Sequence, residues 1–338
     1  MKLGTMRIAE PKDAWEARDG RLVVVDDDAG NVAVVPEDVA RCMFEAIQEW
    51  DAIEPQLRTI DARLRDGSWD GETLAIEDID WMAPLPRSTC WIDGSAYVQH
   101  IVLVRKARGA EPPEDLRTVP LMYQGAADPM LGPHEPIEVE DEAWGIDLEA
   151  EVGVITDDVP KGTKAKDAGD HIKLLVCMND VSLRNLIPRE LKAGFGFFHG
   201  KPPSHFAPFA VTPDHVGDVW KDGRLHLKMK SWRNGEFHGD PDCGPEMFFG
   251  FHELIEHAAK TRPLPAGTVI GSGTVSNEDT SRGASCIAEV RMLETIESGA
   301  PKTEFLRFGE TVKIDVEHEG QSLFGAIEQV VAKHTPTP

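Results

Sequence analysis

The stretch Gly145-Ile-Asp-Leu-Glu-Ala-Glu-Val-Gly-Val-Ile155 is central to the fold of this chain, because acidic and apolar residues alternate along it. Such alternation predicts a β-strand with one buried face. The predicted buried face carries Leu148, Ala150, Val152 and Val154, and the opposite face carries Asp147, Glu149 and Glu151. Side chains on one face of a strand recur about every 6.8 Å, so these carboxylates repel one another unless a cation lies between them. The pattern fits a divalent-cation site, and it fits the solvated face of an edge strand equally well.

Two further segments place acidic residues beside predicted strands. An apolar run over residues 172–178 ends in Asn179-Asp180, so the Asp180 carboxylate would lie at a sheet edge, although Asn-Asp pairs are also common in turns. Upstream, Asp93 precedes His100 by seven residues, a spacing that is weak evidence on its own. The additional carboxylate at Asp180 favours the cation site over the solvated strand.

Short strands separated by glycine, proline and aspartate predict a β-rich α+β domain over residues 85–335. Its strand candidates are residues 100–105, 147–155, 173–178, 226–231, 268–271, 287–293 and 311–316, and one amphipathic helix is predicted over 249–260. A small N-terminal β/helix module is predicted over residues 1–84. It would contain a hairpin turn at residues 26–30 and a helix over about 37–65, which Pro55 should break or kink.

Charge and composition argue against several classes of function. The chain has 59 acidic and 35 basic residues and a net charge of −24, which repels nucleic acids and anionic membranes. The first twenty residues lack the apolar core of a signal peptide, and no apolar run reaches membrane-spanning length, so a cytoplasmic protein is expected. Five scattered cysteines predict neither a disulfide framework nor structural zinc.

The order of several motifs resembles that of the fumarylacetoacetate hydrolase superfamily over about residues 85–330. The motifs are Asp93 with His100, Tyr123-Gln-Gly, Asp147-Leu-Glu-Ala-Glu151, Met178-Asn-Asp-Val-Ser-Leu-Arg184, Gly200-Lys-Pro, Trp232-Arg-Asn-Gly235 and Gly271-Ser-Gly-Thr-Val. The pairing of the Glu-x-Glu strand with the Asn-Asp-x-Ser-x-Arg segment is the most specific of these features. The resemblance implies a mixed β-sandwich roll, a bound Mg²⁺, Mn²⁺ or Ca²⁺, and a homodimer.

The resemblance also implies roles for individual residues. It implies metal-binding carboxylates at Glu149, Glu151 and Asp180, with Asp93 as a fourth, a general base at His100, substrate contacts at Lys201 and Tyr123, and a carboxylate-binding threonine at Thr274. The acid that orients His100 would be Glu289 or, failing that, Glu278. The substrate arginine would be Arg105 or Arg108.

The resulting hypothesis is a metal-dependent hydrolase that cleaves a carbon–carbon bond in a β-diketo acid of the fumarylacetoacetate or acylpyruvate type. Its substrate would be a small anionic keto acid. Ser95, Ile187 and Leu191 replace polar groups of the animal hydrolase, and the last two predict a more apolar acyl pocket. Two alternatives remain open: a lyase on the same scaffold (a 2-keto acid hydratase, dehydratase or decarboxylase), and a non-enzymatic protein in which the cation only stabilises a sheet.

Overall fold

The computed structural model describes residues 1–107, 111 and 114–335. Its first part contains β1 (Lys2–Met6), α1 (Ala14–Asp19), β2 (Arg21–Asp26), β3 (Asn31–Val34), α2 (Met43–Gln48), α3 (Trp50–Arg65) and β4 (Thr73–Ala75). The chain continues through β5 (Cys90–Gly94), α4 (Val98–Ala107), β6 (Met122–Gln124), β7 (Ile137–Val139), β8 (Ile146–Asp147), β9 (Ala150–Thr156), α5 (Ala165–Ala168), β10 (Ile172–Asn179), β11 (Ser182–Leu183), α6 (Ile187–Ala193), β12 (His205–Phe206) and β13 (Phe209–Val211). The remaining elements are β14 (Trp220–Lys221), β15 (Arg224–Leu225), β16 (Met229–Arg233), β17 (Glu236–Gly239), α7 (Phe251–Ala258), β18 (Thr268–Gly271), α8 (Ile287–Ser298), β19 (Thr311–His318), β20 (Gln321–Ser322) and β21 (Ile327–Lys333).

Two large sheets organise these strands. The first has eleven strands in the order β4-β3-β2-β1-β13-β10-β9-β18-β5-β6, with β12 paired to β10, and the second has the order β17-β16-β19-β21-β7, with β20 on β19. Both are mixed, because β18 runs parallel to β5 and β21 runs parallel to β7. The predicted strand-rich α+β class is therefore confirmed, and the described residues form no closed barrel. None of the described helices combines the length and the apolar character needed to cross a membrane.

The core lies on both faces of the eleven-stranded sheet, as strand β10 illustrates. Leu175 and Cys177 point towards the cluster that includes Ile314 of the second sheet, whereas Leu174 and Val176 belong to the cluster that packs under α2 and α3. Because successive side chains alternate between faces, a strand buried on both sides is almost uniformly apolar. This explains why residues 172–178 could be recognised as a strand from the sequence.

The N-terminal segment extends the same sheet, since β1 pairs antiparallel with β13, placing Gly4 opposite Phe209. The hairpin predicted at residues 26–30 joins β2 to β3. The predicted break in the following helix is misplaced, however. Pro55 lies inside α3, and the interruption is at Glu49, whose φ of −121° and ψ of 36° are not helical.

Two segments predicted as strands are helices. Residues 100–105 lie within α4, where Val98 and Ile101 are buried in one small cluster with Leu116. β-Branched residues favour strands in isolation, but here their three-residue spacing gives the helix a buried face.

Residues 287–293 lie within α8 for a different reason. The Asp147 carboxylate accepts hydrogen bonds from the backbone N–H groups of Ile287 and Ala288, at 2.7 and 2.9 Å. These are among the first N–H groups of a helix, which have no partner within it. The cap is supplied from about 140 residues away, so the local sequence carries no sign of it.

Two other predicted strands need correction at their ends. The strand predicted over 147–155 is interrupted, because β8 ends at Asp147 and β9 begins at Ala150. The strand predicted over 226–231 begins only at Met229. The interruption matters for the site, because it separates Asp147 and Glu149 from the regular alternation that holds Glu151.

Candidate active site

Three carboxylates converge at one end of neighbouring strands of the large sheet. Asp93 lies on β5, Glu151 on β9, and Asp180 directly follows β10. Ligand oxygens of the three lie within 4.8 Å of one another, and all three residues are buried. Gly271 of β18 permits this approach, because a Cβ there would lie 2.5 Å from Asp93 Oδ1 and 3.0 Å from Glu151 Oε2.

The electrostatics of this cluster fit a divalent cation. Burial, reinforced by the Asp180 charge, raises the pKa of Asp93 to about 8. Burial also raises the pKa of Glu151, with the charges of Asp93 and Asp180 adding to it. The buried Oε1 atom of Glu151 has no hydrogen-bond partner among the described residues. Hard carboxylate oxygens are the ligands that Mg²⁺, Mn²⁺ and Ca²⁺ prefer, so the donor set fits the cofactor predicted from the sequence.

Glu149, also predicted as a ligand, lies outside this group of three. It accepts a hydrogen bond from Arg184 Nη2 at 2.6 Å and forms an ion pair with Lys201 Nζ. Burial alone would raise the pKa of Glu149, but the two cations outweigh it and lower the pKa. The structure therefore shows Glu149 as the link between the cluster and a pair of buried cations, and its role as a ligand stays a prediction.

Lys201 and Tyr123 both contact the cluster through Asp180. Lys201 Nζ lies 2.6 Å from Asp180 Oδ2, and the Tyr123 hydroxyl donates to the same oxygen at 2.5 Å. Ser204 Oγ donates to Asp180 Oδ1 at 2.6 Å. Burial would lower the pKa of Lys201, but the charges of Asp180 and Glu149 outweigh it and raise the pKa. Lys201 is therefore held as a cation beside the carboxylates.

The predicted general base forms a pair with one of the two candidate acids. His100 on α4 places Nδ1 3.4 Å from Glu289 Oε2 on α8, and the other Glu289 oxygen accepts a hydrogen bond from Ser276 Oγ at 2.8 Å. Glu289 is buried, with a side chain 3% exposed, whereas Glu278 is exposed. The structure therefore brings Glu289, and not Glu278, to His100. Ser276 was missed by sequence reasoning, because its partner is fixed only in the folded chain.

Several of these groups border a cavity of about 420 Å³. Its wall includes the predicted site residues Asp93, His100, Tyr123, Glu149, Lys201 and Thr274. Arg105 is exposed on α4 and is not part of the wall, and Arg108 lies outside the described residues. The expectation for a substrate arginine at position 105 thus has no support from the geometry.

Much of the remaining lining of the cavity is apolar. Its apolar members include Ile187, Pro188, Leu191, Phe197, Met292 and Phe305. The Phe197 ring lies edge-on against the Tyr123 ring, with 4.9 Å between the centroids. Ile187 and Leu191 thus border the cavity, and their role in an acyl pocket stays a prediction, whereas Phe197 and Met292 were not identified from the sequence.

Comparison with known families agrees with this geometry. The model for the fumarylacetoacetate (FAA) hydrolase C-terminal domain matches residues 89–332, and the model for fumarylacetoacetase N-terminal domain 2 matches residues 1–87. The chain belongs to the fumarylacetoacetate hydrolase family. The resemblance seen in the motifs is thus confirmed.

Two relatives of this chain are named as oxaloacetate tautomerases. Oxaloacetate tautomerase YisK of Bacillus subtilis is 24% identical over 84% of this chain and 86% of its own length. Mitochondrial oxaloacetate tautomerase fahd2 of Xenopus laevis is 27% identical over 60% of this chain and 59% of its own length. Both relatives are therefore named as enzymes that act on a keto acid, oxaloacetate.

Solved structures agree with the fold. A putative HpcE protein from Mycobacterium smegmatis superimposes with a TM-score of 0.68, at 19% identity, over 99% of this chain and 100% of its own. Maleylpyruvate hydrolase from Sphingobium sp. SYK-6, in complex with manganese (II) ion and pyruvate, gives 0.65 at 16% identity over the same shares of the two chains. These likenesses establish the fold of the whole chain.

Proposed function

We propose that this protein is a metal-dependent hydrolase that cleaves a carbon–carbon bond in a β-diketo acid of the acylpyruvate type. The observation that carries the proposal is the His100–Glu289 pair, because His100 borders the same cavity as Asp93 of the carboxylate cluster. A cation that only stabilised a sheet would need neither the pair nor the cavity. The non-enzymatic alternative is therefore disfavoured.

Asp93, Glu151 and Asp180 are the residues that would hold the cation, with Glu149 as a candidate fourth ligand. When bound, the cation supplies Lewis-acid chemistry by polarising the substrate's carbonyl oxygens. The carboxylate of the substrate would meet Thr274, which lines the cavity beside Asp93. A simple ester offers a single carbonyl oxygen, whereas a 2,4-dioxo acid offers several oxygens in positions to be held together.

His100 is proposed to remove a proton from the attacking water. With Nδ1 directed at the Glu289 carboxylate, Nε2 is the nitrogen left to accept that proton. Hydroxide then adds to the distal carbonyl carbon, the bond between the acyl carbon and the adjacent methylene breaks, and the methylene carbon takes up a proton. Water and the acylpyruvate are consumed, and a carboxylic acid and pyruvate are formed. Lys201 would balance the negative charge that develops on oxygen.

A second candidate is keto–enol tautomerisation of a 2-oxo dicarboxylic acid. The observation that favours it is the relative YisK, named an oxaloacetate tautomerase, which aligns with 84% of this chain. The same histidine would move a proton between carbon and oxygen, with no water added and no carbon–carbon bond broken. The lyase alternative has no comparable observation among the relatives named above.

The decisive experiment is product analysis on protein loaded with Mg²⁺ or Mn²⁺. Acetylpyruvate, a longer acylpyruvate, fumarylpyruvate and oxaloacetate would be followed by NMR, with a nitrophenyl ester as control. Release of pyruvate together with the matching acid is the expected result. Enolisation of oxaloacetate without cleavage of any acylpyruvate would establish the tautomerase instead. Ester hydrolysis that persists in EDTA, with no diketo acid cleaved and no oxaloacetate enolised, would defeat both proposals.

The state of assembly is a separate proposal. We expect a homodimer, as the family resemblance implies, and sedimentation of the native protein would measure it. A monomer with full activity would overturn this expectation without affecting the proposed reaction.

A further inference from the structure

We propose that Arg291 forms a subsite for a second carboxylate, at the tail end of the acyl group. This inference rests on the proposed function, because it names the class of acylpyruvate that the cavity would accept. Arg291 lies in α8, outside every motif recognised in the sequence, and it borders the cavity.

The position of Arg291 follows from the helix geometry of α8. Ala288, Arg291, Met292 and Thr295 all line the cavity, and their spacing of three, four and seven residues puts them on one face of the helix. Ala288 directly precedes Glu289, the partner of His100. Arg291 lies about 4.5 Å further along the helix axis than Ala288, since each residue advances the helix by about 1.5 Å. The guanidinium itself is placed by its contact with the Phe305 ring, which also lines the cavity.

The Arg291 guanidinium is also held in place. Its carbon lies 4.3 Å from the centroid of the Phe305 ring, and one of its terminal nitrogens donates to the carbonyl oxygen of Thr303. Stacking on an aromatic ring fixes the guanidinium plane while leaving its edge able to donate. Such an edge matches the two oxygens of a carboxylate.

Arg291 differs from Arg184 and Lys201, the other two cations that line the cavity, because those two are paired with carboxylates. Arg184 is paired with Asp147 and Glu149, and Lys201 is paired with Glu149 and Asp180. Within residues 1–107, 111 and 114–335, no carboxylate forms an ion pair with Arg291. In a chain with 59 acidic and 35 basic residues, a half-buried cation without an acidic partner is well suited to an anionic ligand.

The substrate class that fits is therefore an acylpyruvate with a carboxylate at each end. One carboxylate would lie near Thr274 and the cluster, the connecting carbons against Ile187 and Phe305, and the second carboxylate on Arg291. The sequence predicts an apolar acyl pocket. The proposed subsite adds one cation, Arg291, to that otherwise apolar lining.

The test compares fumarylpyruvate with the same compound methylated on its fumaryl carboxylate. The wild-type enzyme should favour the free acid at least 10-fold in kcat/KM, because methylation removes the charge. Arg291→Gln should lower kcat/KM for the free acid about 10- to 100-fold and change the value for the ester less than 3-fold, the usual range for a hydrogen-bonded charge. Arg291→Lys should retain part of the preference. Arg262→Gln is the matched control and should behave as the wild type, because Arg262 is exposed and does not line the cavity.

A binding measurement separates this inference from the proposed reaction. Calorimetry on the Mg²⁺-loaded protein would compare fumarate with crotonate, which has a methyl group in place of one carboxylate. Arg291→Gln should weaken fumarate binding at least 10-fold and leave crotonate binding unchanged, even if no acylpyruvate is cleaved. Equal losses for both acids, no preference in the wild type, failure of fumarate to bind, or a selective loss in Arg262→Gln would each overturn the subsite.

Discussion

Replacing Glu289 with glutamine tests the proposed catalytic base through its orienting partner. The substitution keeps the shape of the side chain and removes the charge that faces His100 Nδ1 at 3.4 Å. At an effective dielectric constant of about 20, unit charges at that distance attract by about 5 kcal/mol. If about half of this attraction is present when the proton is half transferred, the barrier rises by roughly 2.5 kcal/mol, which corresponds to a rate loss of roughly 10²-fold.

The assay is steady-state cleavage of an acylpyruvate, with cation affinity measured in parallel. Glu289→Gln should lower kcat and leave KM, Mn²⁺ affinity and the melting temperature nearly unchanged, because Glu289 lies outside the three-carboxylate cluster. Glu278→Gln is the matched control, since that residue is the other acid considered and is exposed. Full activity in Glu289→Gln, or a large loss in Glu278→Gln, would refute the assignment of the pair.

The other predictions concern the cluster and the stability of the fold. Glu151→Gln should weaken Mn²⁺ binding at least 10-fold in calorimetry yet raise the melting temperature of the metal-free protein at neutral pH, because it removes a buried carboxyl group whose raised pKa makes folding costly above the pKa of the unfolded chain. Glu149→Gln should also weaken Mn²⁺ binding but lower that melting temperature, because it leaves Arg184 and Lys201 with less counter-charge; an unchanged melting temperature would contradict the ion-pair network. Burial lowers the pKa of His205 to about 4, so between about pH 6.5 and 4 the unfolded chain binds a proton that the folded chain does not, and stability falls as the pH falls. Urea unfolding at pH 7 and pH 5 should therefore show a loss about 2 kcal/mol larger for the wild type than for His205→Gln, and equal losses would exclude this histidine as the source.

Strands are predicted well from the sequence where every residue along the strand has the same surroundings. Residues of β10 and β18 are buried on both faces, so their uniformly apolar sequence is sufficient to identify them. Helix α4 was taken for a strand because its β-branched residues fit both periods. Helix α8 could not be recognised locally, because Asp147 caps it from a distant part of the chain. The sequence thus predicts helices and strands well where the local pattern agrees with burial. It predicts them poorly where a tertiary contact determines the secondary structure.

The same distinction applies to the candidate site. The carboxylates and His100 lie in motifs of fixed spacing, and the family resemblance was enough to select them. Ser276 and Arg291 lie in no such motif, and each acquires its surroundings only when distant segments pack together. Glu289 could be chosen over Glu278 only once α4 was seen to pack against α8. The sequence predicts strands for both of these segments, so it gives no sign of that packing.

The alternating acids from which the fold was inferred show why spacing alone cannot assign chemistry. Asp147, Glu149 and Glu151 occupy every second position and look equivalent in the sequence. In the structure Asp147 caps α8 and binds Arg184, Glu149 lies between Arg184 and Lys201, and Glu151 faces Asp93. The pKa values of Glu149 and Glu151 consequently diverge: the neighbouring cations lower that of Glu149, whereas burial and like charges raise that of Glu151. The interruption of the strand between Asp147 and Ala150 allows one short acidic segment to cap a helix, pair with cations and contribute to a cation site.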